Sequence, residues 1–162
     1  MNGQLHIGKL KYDNPELMSL DQATGWMKDL LDELNEPITT GSVLFSQSPP
    51  FIKFKGEAIK KQNPKYGDIV FFTGELNSRF IANCAKSGEP MLDEIDLEVA
   101  AVFISEDSRD KNTLNDEVDL FVDGADYDLY FYTLQKIDFC SVLREYIFLN
   151  KNPYPIQKEG NS

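Results

Sequence analysis

The sequence predicts an α+β domain in which a mostly antiparallel β-sheet is covered by two amphipathic helices. Two observations predict this class. Apolar residues recur at helical spacing in two separate segments, one towards each end of the chain. Between these segments apolar and polar residues alternate, which is the two-residue period of strands with one face in the core. We expect residues 1–156 to form a single domain and residues 157–162 to form a frayed tail.

The N-terminal helix is predicted over residues 19–35. Ser19 and Gln22 have the spacing of a capping box, in which each side chain binds the backbone amide of the other residue. Pro37 then closes the segment. The apolar stripe between these ends consists of Ala23, Trp26, Met27, Leu30, Leu31 and Leu34.

The alternating region predicts strands over Phe51–Ile59 and, later, over Leu129–Tyr132. Val118, Leu120 and Val122 indicate a further short strand. Between residues 59 and 118 lie two more strands, joined by a compact Gly/Pro-containing connection at residues 83–90. Such a pair is expected to be antiparallel, with one face exposed to solvent. The core-facing residues predicted for this pair are Val70, Phe72, Leu76 and Phe80 in one strand and Ile95, Leu97, Val99, Ala101 and Phe103 in the other.

A second helix is predicted near the C-terminus, with Asp138 as its N-cap. It is expected to end before the proline-rich segment at residues 152–155. The residues predicted for its inner face are Phe139, Val142, Leu143, Tyr146 and Ile147.

The formal net charge of −11 comes entirely from residues 93–128. This window holds 13 acidic residues against Arg109 and Lys111, whereas the 14 acidic and 14 basic residues elsewhere cancel. Residues 106–116 are expected to form an exposed acidic loop. A field of this sign repels nucleic acid and attracts basic proteins. The charge pattern therefore favours a binding or assembly protein, and no residue pattern indicates an enzyme.

No apolar run approaches the roughly 20 residues needed to cross a bilayer, and no signal peptide is evident. The cysteines, Cys84 and Cys140, are 56 positions apart. A disulfide between them remains open, but a reduced chain is the simpler interpretation. We expect a cytoplasmic protein without membrane contact.

Two surfaces are candidates for binding. Acidic and aromatic residues together suit the capture of Arg/Lys-rich protein segments through ion pairs and cation–π contacts; this set is Asp116, Glu117, Asp119, Asp123, Asp126, Tyr127, Asp128 and Tyr130. A lysine-rich run with adjoining aromatic residues is instead typical of a surface that binds single-stranded RNA; this set is Lys53, Lys55, Lys60, Lys61 and Lys65.

One stretch of the chain resembles the central motif of the YceD-like family. It runs through Arg79-Phe80-Ile81-Ala82-Asn83-Cys84 and continues to Ser87, Gly88, Glu89 and Pro90. The second half is similar as well, with an acidic segment, the helix containing residues 142–147 and the proline-punctuated residues 153–155. The resemblance covers roughly residues 51–156.

The resemblance implies a bacterial or plastid protein that is needed for large-subunit ribosomal RNA to accumulate. Genes of this family often neighbour one for a small basic ribosomal protein, and the family has no established catalytic activity. Members with a cysteine pair could bind zinc through it, but Ser87 stands at the second position here. Zinc sites need about four soft or imidazole ligands, so we expect no metal and no cofactor.

We therefore expect a non-catalytic factor for ribosome assembly that binds a basic ribosomal protein, or a pre-ribosomal particle, through its acidic face. One alternative is a direct RNA-binding protein that uses Lys53–Lys65. A less favoured alternative is a nuclease in which clustered carboxylates hold magnesium.

Overall fold

The computed structural model describes residues 3–36, 49–108 and 127–155. These residues form an α+β fold, as the sequence predicts. The elements in chain order are β1 (Gln4–His6), β2 (Glu16–Asp21), α1 (Gly25–Leu34), β3 (Phe51–Asn63), β4 (Gly67–Asn83), β5 (Pro90–Ser105), β6 (Asp128–Tyr132), β7 (Lys136–Asp138) and α2 (Phe139–Asn150). Short 3₁₀ turns occupy Ile7–Lys9 and Glu106–Ser108.

The main sheet has the strand order β2-β3-β4-β5-β6. All neighbouring strands are antiparallel except β5 and β6, which run parallel. The predicted antiparallel pair is β4 and β5, and its connection spans residues 84–89. The short strands β1 and β7 form a separate two-stranded sheet.

Both helices cover the same face of the main sheet, where the core lies. Met27 and Leu34 of α1 and Leu143 and Ile147 of α2 are fully buried in one cluster with the inward side chains of β3, β4 and β5. Asp138 caps α2, because its carboxylate accepts from the Ser141 backbone amide at 3.0 Å. The cap and the inner face predicted for the second helix are confirmed.

The start predicted for the first helix is wrong. Ser19 lies in β2, opposite Lys55, and helix α1 begins at Gly25. Met18 and Leu20 are buried while their neighbours are exposed, which is the two-residue alternation of a strand. This segment pairs with β3, and Ser19 and Gln22 therefore form no capping box. Gln22 accepts instead from the Ile52 backbone amide at 3.2 Å.

Two glycines lie opposite each other in the middle of the sheet. Gly56 of β3 pairs with Gly74 of β4, and the ring of Phe54 lies over both. A Cβ atom on Gly74 would lie 2.5 Å from the Lys55 carbonyl oxygen and 2.7 Å from the Phe54 ring. The close approach of these backbones therefore requires glycine at both positions.

The face of the sheet opposite the helices is only partly polar. Side chains such as Lys53, Glu75 and Glu98 are exposed there, but Val102 and Ile104 are buried in a second, smaller apolar cluster. The sequence explains this difference, since residues 100–104 are apolar without interruption and so supply apolar side chains to both faces.

Most of the predicted acidic loop, the strand indicated at residues 118–122 and the tail at residues 157–162 lie outside the described residues. Where helices are described, none has the length and apolar character needed to span a membrane.

Candidate partner-binding cleft

An open cleft separates the edge strand β6 from helix α2. Its cavity volume is about 300 Å³. The two elements approach each other there because the side chains of Tyr130 and Tyr146 pack against the main core. The lining residues are Asp128, Leu129 and Tyr130 from β6 and Glu145, Tyr146, Leu149 and Asn150 from α2.

Tyr146 holds the helix side of the cleft against two strands. Its hydroxyl group hydrogen-bonds the Asp128 carboxylate of β6 and lies 3.0 Å from the Ala100 carbonyl oxygen of β5. It also accepts from the Ala100 backbone amide at 3.3 Å. Burial raises the pKa of Tyr146 well above the ordinary 10.0, and the hydrogen bond to Asp128 acts in the same direction. The phenol therefore stays protonated and orients the carboxylate.

Tyr130 stands in the complementary position on the strand side. Burial raises its pKa well above 10.0, and the charge of Glu145 is the next largest cause. A hydrogen bond to Glu145 contributes as well. Tyr130 of β6 thus interacts with Glu145 of α2, and Tyr146 of α2 interacts with Asp128 of β6.

This arrangement suits a cationic side chain. Asp128 and Glu145 are exposed, and a carboxylate can accept about four hydrogen bonds, so a single phenol does not saturate either group. The rings of Tyr130 and Tyr146 line the cleft, and one face of Tyr130 is stacked on Phe103 with centroids 5.5 Å apart. Aromatic rings attract guanidinium and ammonium groups. A cleft with these groups can bind an arginine or lysine side chain of another protein.

The acidic and aromatic set is divided by the structure. Asp128 and Tyr130 line the cleft. Tyr127 points to the opposite face of the sheet, where its ring packs edge-on against Phe71 with centroids 5.1 Å apart. The other members, Asp116, Glu117, Asp119, Asp123 and Asp126, lie outside the described residues.

Sequence reasoning missed the helix half of the cleft. The sequence pattern predicts Tyr146 for the inner face of its helix and does not single out Glu145. The available signal was the adjacency of a glutamate and a tyrosine at the border between the inner and outer faces of an amphipathic helix.

The five lysines do not form one basic surface. Lys53, Lys55, Lys61 and Lys65 are exposed, but Lys60 is buried and is removed from the set of RNA-contact candidates. It lies on the core side of β3 because its position has the parity of Phe54 and Ala58. The Lys60 ammonium group donates to the Ile7 carbonyl oxygen at 3.2 Å and lies 4.4 Å from the centroid of the Tyr12 ring.

The residues of the family motif form the β4–β5 hairpin connection. Cys84 is buried, and its backbone amide donates to the Glu89 carbonyl oxygen at 2.8 Å. Gly88 adopts a φ of +75°, and its amide donates to the Cys84 carbonyl oxygen at 2.7 Å. Ser87 accepts from the Glu89 amide at 3.3 Å, and Pro90 begins β5.

The hairpin is joined to the proline-punctuated segment near the C-terminus. The Ala85 amide donates to the carbonyl oxygen of the buried Pro155 at 2.7 Å. Two segments that carry the resemblance are therefore in contact. Cys84 and Cys140 are both free thiols, so the structure has no disulfide between them.

Among the described residues, no three His, Cys, Asp or Glu side chains converge as a metal site would require. Comparison with protein-family models, with curated protein sequences and with solved structures finds no match for this chain. The resemblance to the YceD-like family, and the function that it implies, stay predictions.

Proposed function

We propose that this protein is a non-catalytic factor that binds an Arg/Lys-rich segment of a partner protein. The partner proposed is a basic ribosomal protein or a pre-ribosomal particle, and the outcome is accumulation of large-subunit ribosomal RNA. The observation that carries the binding proposal is the cleft, which Asp128 and Glu145 line together with Tyr130 and Tyr146. The ribosomal identity of the partner rests on the family resemblance.

Charge supports a protein partner over RNA. The chain has a net charge of −11, which favours encounters with cationic proteins and slows those with polyanions. Direct RNA binding requires a surface of uncompensated lysines. The burial of Lys60 weakens that alternative.

Capture from cells tests the proposal. The tagged protein is recovered from growing cells, the bound material is treated with RNase, and the retained proteins are identified. We expect small basic ribosomal proteins to remain bound after RNase treatment. Loss of all capture on RNase treatment of the wild-type complex would instead support RNA as the ligand.

Matched variants assign the capture to the cleft. The double change Asp128→Asn with Glu145→Gln removes two charges but keeps acceptors for the phenols, and it should abolish or strongly reduce capture. The control is Asp29→Asn with Asp32→Asn, which removes two charges from exposed positions of α1. This control should capture the partner as the wild type does.

A further inference from the structure

The face of the main sheet that carries no helix has an ordered distribution of charge, and we call it the open face. Pairing between the strands sets its outward side chains in rows. One row joins Asp21, Lys53, Asn77 and Asp96, and the next joins Ser19, Lys55, Glu75 and Glu98. Lysines on β3 therefore have carboxylates beside them on the same surface.

The charged end of the open face has a net negative charge. Its six carboxylates exceed its three cationic groups, so the formal sum is −3. Arg79 forms an ion pair with Glu94, with a nitrogen–oxygen distance of 3.0 Å. The carboxylates are Asp21, Glu57, Glu75, Glu94, Asp96 and Glu98, and the cationic residues are Lys53, Lys55 and Arg79.

Glu75 and Glu98 form an unusual pair at this end. They are directly opposite each other on β4 and β5, and both are exposed. Neither carboxylate makes a side-chain hydrogen bond or ion pair with another described residue. Like charges directly opposite each other on neighbouring strands are destabilising. Lys55 lies beside Glu75 in the same row, so a cation from outside the chain that binds beside Glu98 would reduce the repulsion further.

The other end of the open face is mainly apolar, although the ammonium group of the exposed Lys61 lies there, 5.9 Å from the centroid of the Phe71 ring. Phe71, Leu129 and Phe131 are half-buried there over Val102 and Ile104. Phe71 lies four residues from Glu75 on the same strand, a separation of about 13 Å at roughly 3.3 Å per residue. A partner that covers both ends must present cationic groups and an apolar group at this separation.

We propose that the open face is a second docking surface, which binds an extended protein segment with arginines at one end and aromatic residues at the other. Charge complementarity selects this occupant, since the acidic end attracts arginine and repels phosphate. The inference rests on the proposed function, because it adds a second contact for the same cationic class of partner. The acidic end of the open face is separate from the cleft, which lies on the helix-covered side of the sheet, and the two surfaces adjoin at Leu129 of β6.

A binding titration with a synthetic peptide tests the proposal. The probe is a fluorescein-labelled peptide of sequence RTRTRTFTF, which places arginines and phenylalanines on one face of an extended chain. The same peptide with glutamine in place of arginine is the reference. The full-length protein should bind the arginine peptide and show much weaker binding to the glutamine peptide.

An open-face variant, a control variant and the cleft variant described above separate the two surfaces. Glu75→Gln with Glu98→Gln should weaken binding of the arginine peptide by about three- to tenfold, since exposed ion pairs contribute modestly. The Asp29→Asn, Asp32→Asn control should bind as the wild type does. The open-face variant should also melt no lower than the wild type, which shows that its weaker binding does not come from unfolding.

The outcomes distinguish the two proposals. Unchanged binding by the open-face variant, together with weaker binding by the Asp128→Asn, Glu145→Gln variant, would overturn the open-face proposal and leave the cleft standing. Equal binding of the arginine and glutamine peptides by the wild-type protein would contradict the proposed function itself. Competition by single-stranded RNA that Lys53→Gln with Lys55→Gln abolishes would reassign this face to nucleic acid and overturn the inference.

Discussion

The hydroxyl group of Tyr146 donates a hydrogen bond to the carboxylate of Asp128, and this bond joins helix α2 to the edge strand β6. The two residues are 18 positions apart in the chain. Because the bond orients one of the two carboxylates of the cleft, it connects the packing of the helix to the chemistry of the proposed binding site.

The change Tyr146→Phe should lower stability and weaken partner binding. Hydrogen bonds to charged groups contribute about 1.5–3 kcal/mol, and the exposure of Asp128 reduces this to about 1–2 kcal/mol of unfolding free energy. Denaturant unfolding measures the difference. The control is Tyr154→Phe, which alters a side chain that is 73% exposed and should change stability very little. Equal stability of both variants would show that the bond to Asp128 has no energetic role.

Stability should fall as the solution becomes strongly alkaline. Burial raises the pKa of Tyr130, Tyr132 and Tyr146 above the unfolded value of 10.0. A group whose pKa is raised by folding contributes stability that is complete below the unfolded pKa and is lost as pH rises through the folded pKa. The free energy of unfolding should therefore decline above about pH 10.

Denaturant unfolding at a series of alkaline pH values, with ultraviolet absorbance as the monitor of phenolate, tests this decline. The Tyr146→Phe variant should lose stability less steeply than the wild type. A wild-type stability that does not change above pH 10 would contradict the pKa directions.

The change Gly74→Ala should destabilise the centre of the sheet. The added methyl group would lie 2.5 Å from the Lys55 carbonyl oxygen and 2.6 Å from the Gly56 Cα atom, so the strands would have to separate. Overpacking of this kind costs about 1–3 kcal/mol. Thermal melting measures the loss.

The matched control is Gly25→Ala in the first turn of α1, where an added Cβ atom meets nothing within 4 Å. Alanine is the better helix former, so this change should raise stability by up to about 1 kcal/mol. A Gly74→Ala variant that melts with the wild type would show that the opposed glycines are not required.

Replacement of Lys60 should have a structural effect. Lys60→Met removes the hydrogen bond to the Ile7 carbonyl oxygen and the contact with the Tyr12 ring, and it should cost about 1–3 kcal/mol of unfolding free energy. Lys53→Met, at an exposed position of the same strand, should change the free energy of unfolding by less than about 0.5 kcal/mol. Equal effects of the two changes would contradict the buried placement of Lys60.

Local sequence patterns predicted β3, β4, β5, β6 and the second helix, because each depends on neighbours in the chain, whereas β2 and β7 were not predicted. The alternation in β4 and β5 and the Asp138 cap are of this kind. The first helix was mispredicted at its start because Ser19 pairs with β3, and pairing with a strand more than 30 residues away leaves no local signal. Tertiary contacts here override a capping motif.

The cleft was predicted only in part. The acidic and aromatic character of residues 127–130 is evident from the sequence, but its combination with Glu145 and Tyr146 depends on how α2 packs against the sheet. The surroundings of the lysine run could not be predicted for a related reason. Spacing along β3 shows that Lys53 and Lys55 share a face, but the carboxylates beside them come from β2, β4 and β5.

The central claim is that the cleft between β6 and α2 binds cationic side chains. It is tested most directly by mapping backbone and tyrosine NMR signals while the arginine peptide, and then its glutamine counterpart, is added to the full-length protein. We predict that the arginine peptide, but not the glutamine peptide, shifts the signals of Tyr130, Glu145 and Tyr146. The double change Asp128→Asn with Glu145→Gln should remove these shifts. Shifts that are identical for the two peptides, or that persist in the variant, would contradict the claim.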